Sequence, residues 1–77
     1  MENEEITKII EKVSVETGKS VRVVREIWQG MWMFQLDFHR PSVTDRDIKN
    51  VFYDPVDQKV ALALAALNNG KFERNWH

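Results

Sequence analysis

The chain has no cysteine, only two prolines, three glycines and two histidines in 77 residues. Without cysteine there is no disulfide staple, no thiolate metal site and no cysteine nucleophile. Missing cysteines also mildly favour a reducing compartment. His39 and His77 alone are too few for a structural zinc site. Scarce proline and glycine, with no low-complexity tract, argue against disorder. The longest wholly apolar run, residues 60–67, is too short to cross a bilayer, and no segment has the form of a signal peptide. Neither sign of charge dominates. Eleven basic and twelve acidic residues give a formal net charge of −1 and a pI near 6.1. That is far from the basic balance of a dedicated nucleic-acid binder. These absences predict a soluble, cytoplasmic protein without a membrane partner.

What the chain does have is aromatic surface in one place. Eight of the twelve residues from Ile27 to Phe38 are large and apolar. At about 100° per residue they do not make one narrow stripe. Ile27, Met31, Phe34 and Phe38 fall on one helix face, extended backwards by Val23 and Val24. Trp28, Trp32 and Leu36 fall on an adjoining face, extended by Val21. A surface helix needs an apolar arc of about 100°; this one spans roughly twice that. Either it is the central helix of a very small domain, or another protein chain closes its second face. Seventy-seven residues allow one domain. A chain this short buries about 60–65% of its unfolded surface and is marginal without help. With disulfides and zinc excluded, oligomerisation or docking is the help that remains.

The flanking segments read as helices. Ile6, Ile9, Ile10 and Val13 have the spacing of a buried helical face over about residues 4–17. Gly18 suits a left-handed end to that helix, and Ser20 an N-cap for the aromatic one, about residues 21–38. Gly30 lies near the polar strip of the aromatic helix, where a neighbouring backbone has room to approach. Pro41 disfavours helix at the residue before it. Thr44-Asp45-Arg46-Asp47 resembles a capping box, opening a short helix with Ile48, Val51 and Phe52 on one edge. Asp54-Pro55 restarts a helix as N-cap and N1. Val56, Val60, Ala63, Leu64 and Leu67 form its predicted buried stripe, and Asn69-Gly70 its end. Residues 60–64 also alternate with period two, and Asn69-Gly70 suits a hairpin turn. A short C-terminal hairpin of about 60–68 with 71–76 therefore competes with the helix. Four alanines in that segment favour the helix. The expected fold is all-α: a compact domain of three or four helices around a long central aromatic helix.

Ile6, Ile9-Ile10, the turn Thr17-Gly18-Lys19-Ser20, Val23-Val24, Ile27 and the aromatic second helix resemble the helical half of the HU/IHF family. More loosely, Trp32 with Phe34, Thr44 to Asp47, and Gly70-Lys71-Phe72 are similar to small HU-like proteins of tailed phages. The family grips DNA with basic, proline-tipped β-arms, and no residue here matches them. The resemblance therefore implies dimerisation through the first two helices rather than DNA bending. It also implies a phage-encoded protein, placed in host cytoplasm or virion.

No catalytic constellation is legible. Asp45, Asp47, Asp54 and Asp57 sit where helix starts need carboxylates. No nucleophile elbow, phosphate loop or metalloprotease spacing is present. The expectation is a non-enzymatic module without cofactor, metal or small-molecule substrate. The candidate partner-binding residues are Trp28, Trp32, Leu36, Phe72 and Trp76, because tryptophan and phenylalanine serve as interface anchors. The plainer reading makes them ordinary core. The expected partner is another protein or a second copy, in a virion-like assembly or on a host protein. The alternative is an HU-like or helix-turn-helix protein touching nucleic-acid phosphates with Lys19, Arg22 and Arg25. The plainer reading of those three is a solvated helix face balanced by Glu16 and Glu26.

Overall fold

A computed structural model describes residues 3–72. Four helices follow in order: α1 Glu4–Thr17, α2 Val21–Asp37, α3 Asp45–Val51 and α4 Pro55–Asn68. No strand occurs among the described residues. α1, α2 and α4 pack on one another, and α3 lies against α4. The core is built from Ile6, Ile10 and Val13 of α1, Val24, Ile27, Trp28 and Met31 of α2, Ile48 of α3, and Val60, Ala61, Leu64 and Ala65 of α4. Val43 and Phe72, both outside helices, complete it.

Each helix starts and stops for a local reason. Asn3 caps α1 by accepting from the Glu5 N–H at 2.8 Å. Gly18 ends it at φ 71°, donating to the Ser14 carbonyl. The Ser20 hydroxyl accepts from the Val23 N–H at 3.2 Å and starts α2. α2 ends on His39 at φ 50°, with the His39 N–H donating to the Leu36 carbonyl and the Arg40 N–H to the Gln35 carbonyl. That is a Schellman closure with histidine where glycine is usual. The capping box of α3 is complete: Asp47 N–H donates to the Thr44 hydroxyl at 3.2 Å, and Thr44 N–H to the Asp47 carboxylate at 3.0 Å. Asp54 caps α4 at 2.7 Å with Pro55 at N1, and Asn69 leaves it in the left-handed region at φ 59°.

One alternative falls away and two expectations are corrected. Residues 60–68 are helical, so the competing hairpin is not formed; residues 73–76 of its second strand lie outside the described residues. The buried stripe of α4 is Val60, Ala61, Leu64 and Ala65, whereas Val56 and Leu67 are 43% and 40% exposed. α4 touches all three other helices, and its alanines allow close approach, so the stripe is turned toward Ala61 and Ala65. Gly30 faces no backbone; the Phe52 ring is its neighbour, with Cζ 3.8 Å from where a Cβ would stand.

Asp47 is the buried charged residue of the described chain, at 6% exposure. Its capping bond from the Thr44 backbone lowers its pKa most; burial opposes this, while the Thr44 hydroxyl, Arg40 and Arg46 assist. The Arg40 guanidinium lies 3.3 Å from its carboxylate. A carboxyl whose folded pKa is lowered adds stability above its unfolded value, about 3.9, and loses it as pH falls through the folded value. Asp47→Asn should therefore lower the thermal midpoint at pH 7 and flatten its fall between pH 5 and pH 2. Parallel pH profiles for the two proteins would contradict a charged cap.

Candidate protein-binding surface

The second apolar face of α2 does not behave as a unit. Trp28 is 2% exposed and meets the edge of Phe72, itself 2% exposed, at 4.8 Å between ring centroids and 65° between planes. One turn on, Trp32 is half-buried. Another turn on, Leu36 is 54% exposed. Of the predicted partner-binding residues, Trp28 and Phe72 are thus brought together inside the chain's own core, which removes them as surface anchors. Their covering is internal because the chain after α4 folds back over α2. Trp32 and Leu36 stay accessible. Trp76 lies outside the described residues.

The fold-back is held by backbone groups. Phe72 N–H donates to the Gln35 side-chain oxygen at 2.7 Å, and the Gln35 amide donates to the Pro41 carbonyl at 3.3 Å. Val43 N–H donates to the Gly70 carbonyl at 2.7 Å. Gly70 sits at φ 74°, and a Cβ there would collide with the Val43 carbonyl oxygen. One glutamine on α2 thus joins the α2–α3 loop to the segment leaving α4.

Beyond that clamp, α2 carries more apolar surface than its neighbours cover. Phe38 was expected in the core, sharing a face with Ile27 and Met31, yet it is 65% exposed. α2 has 17 residues against 14 in α1 and in α4. At 1.5 Å per residue that leaves about 4–5 Å of it without a helix of equal length alongside. Phe34 is half-buried and packs on Phe38 at 4.8 Å. Met33 is 46% exposed. Trp32, Gln35, Leu36, Arg40 and Phe72 line a shallow recess of about 210 Å³. The exposure of Met33 and Phe38 and the Gln35 clamp were not anticipated from the sequence. The signal for the first two was the double-width apolar arc of α2.

The three basic candidates are separated by the ion pairing around them. Lys19 is exposed. Arg22 Nε lies 3.5 Å from Glu26, with both side chains mostly in solvent. Arg25 is half-buried and engaged in an interaction of its own. The carboxylates Asp47 and Asp54 act as caps, and no group of three metal-ligating side chains converges among the described residues. No helix among them is long and apolar enough to cross a membrane.

Comparison with family models, with curated proteins and with solved structures finds no match. The HU/IHF resemblance therefore rests on its short motifs alone. Its nucleic-acid implication is open to a direct test. Phosphate contacts would make affinity fall steeply with salt. With net charge −1 and Arg22 paired, duplex DNA should not bind tightly at physiological salt. Tight binding in a fluorescence-anisotropy titration, lost in the Arg22→Ala, Arg25→Ala double variant, would restore the DNA reading.

Proposed function

We propose that the chain is a non-enzymatic protein-association module, a small component of a larger assembly, and that the C-terminal half of α2 is its docking surface. The observation that carries this reading is the exposure of Met33 and Leu36, one turn apart on α2, and of Phe38 at its C-cap. Single exposed apolar residues need no explanation, but clustered ones mark interaction sites. Half-buried Trp32, one turn before Leu36, and half-buried Phe34, packed on Phe38, add aromatic surface of the kind that dominates interface energetics on either side of the helix end.

The simplest partner is a second copy. A net charge of −1 offers little self-repulsion. The phage-like resemblance favours a virion component, and a host protein is the other partner class. Both rest on the proposed surface.

Leu36→Ser combined with Phe38→Ser tests it. Both side chains are more than half exposed, so Leu36→Ser should change the fold by no more than about 0.5 kcal/mol, and Phe38→Ser, which also gives up its contact with Phe34, by about 0.5–1.5 kcal/mol. Sedimentation of the wild type should show mass rising with concentration, and the double variant should stay monomeric. A wild type that remains monomeric to millimolar concentration, with Leu36 and Phe38 NMR signals unmoved by dilution, would count against the surface.

A further inference from the structure

The outward strip of α2 has an order of its own. Arg22, Glu26, Gln29, Met33 and Leu36 are all exposed and follow one another in alternating steps of four and three residues. That is the 3.5-residue repeat by which one helix packs along another. With Asp37, also exposed, they fall within about 100° of the helix surface. Gly30 stands at the edge of this strip, near its midpoint. A Cβ there would meet the Phe52 ring at an ordinary 3.8 Å, so the fold itself does not call for glycine. Glycine weakens a helix interior, and its bare backbone lets another helix come close.

The charges on the strip run against the helix. A helix is stabilised by acidic groups near its N-terminus and basic ones near its C-terminus. α1, α3 and α4 follow that rule in their first turns, with Glu4 and Glu5, Asp45 and Asp47, and Asp57. α2 has no acidic residue in its first turn and no basic one in its last. Instead Arg22 stands at its start and Asp37 at its end. Within one copy this is unfavourable at both ends. A second α2 running the opposite way answers both, because each Arg22 then lies beside the Asp37 and the negative helix end of the other copy. The Arg22–Glu26 pair does not exhaust the guanidinium, which has five donors; its Nε is 3.5 Å from the carboxylate, with side chains 89% and 64% exposed. Arg40, beyond the end of α2, is already matched to Asp47 within the chain.

We propose that the outer strip of α2 pairs with the same strip of a second copy, the two helices antiparallel about a two-fold axis near Gln29. The stems of Arg22 and Glu26 lie over Leu36 and Met33 of the other copy, and the head of Arg22 meets its Asp37. The two-fold axis makes each contact twice. This deepens the association reading, on which it rests, by naming the surface the second copy presents and its direction.

Charge reversal reads that direction. In an antiparallel pair, Arg22→Asp sets two carboxylates together at each end, and Asp37→Arg sets two guanidinium groups together. Each variant alone should self-associate at least about tenfold more weakly than wild type in sedimentation equilibrium at low ionic strength. Mixed in equal amounts, the two should associate as wild type does. Each introduced carboxylate then faces an introduced guanidinium, and each native Asp37 a native Arg22. Both changes lie on the exposed strip and suit the helix ends, so far-ultraviolet circular dichroism of each variant should match wild type. Self-association of either single variant at wild-type strength, or no recovery on mixing, would overturn the proposal. The Leu36→Ser, Phe38→Ser variant keeps the two readings apart. If it stays monomeric while the charge variants associate like wild type, the patch stands and the antiparallel pairing falls. A wild type monomeric to millimolar concentration would remove both.

Discussion

The edge-to-face contact between Trp28 and Phe72 is the constraint on which the rest of the domain depends. A four-helix core from 77 residues has little surface to bury, and α2 carries apolar groups on two faces. α1 and α4 cover one face through Val24, Ile27 and Met31. The other face at Trp28 is covered by a residue that belongs to no helix. Phe72 reaches it only because the chain reverses after α4. The left-handed residues Asn69 and Gly70 make that reversal, and the missing Cβ at Gly70 lets it pass against Val43. Gln35 then holds the Phe72 backbone in place. Turn chemistry, a loop-to-loop hydrogen bond and one aromatic pair thus form a single cooperative unit.

The same arrangement explains where the unsatisfied surface lies. Phe72 covers α2 at Trp28 but not beyond it, so Trp32 is half-covered and Leu36 is open. The length of α2 carries Phe38 past its helical neighbours. Before Trp28, between the start of α1 and the end of α4, lies a second recess lined by Ile6, Ile9, Trp28, Leu67 and Asn68. The two recesses therefore flank the fold-back, with Lys71 in one and Phe72 in the other. The clamp of Gln35, Phe72 and Gly70 thus sits between the two recesses.

Much of the fold was legible in the residues. Gly18, Ser20, Thr44 with Asp47, and Asp54-Pro55 act as stop and start signals because their chemistry is local. The buried face of α1 follows directly from the spacing of Ile6, Ile10 and Val13. What was not legible depends on the third dimension. The α4 stripe turned toward Ala61 and Ala65 because close helix approach, not side-chain size, decided which face was buried. The division of the Trp28, Trp32, Leu36 face into core and surface required knowing where Phe72 lands. Periodicity put Phe38 in the core but carried no information on where the neighbouring helices end. Gln35 gave no signal at all, since a clamp from one helix to a segment 37 residues later leaves no local pattern.

The most direct measurement of this dependence is the unfolding free energy of Phe72→Ala. Loss of a fully buried phenylalanine costs about 3–5 kcal/mol, and a small domain has only about 5–15 kcal/mol in total. If the Trp28–Phe72 contact closes the core, the variant should lose most of its stability, and Trp28 fluorescence should shift toward that of a solvent-exposed indole. A variant that unfolds within about 0.5 kcal/mol of wild type, the range of ordinary surface substitutions, would show that the second face of α2 is closed by something other than this residue.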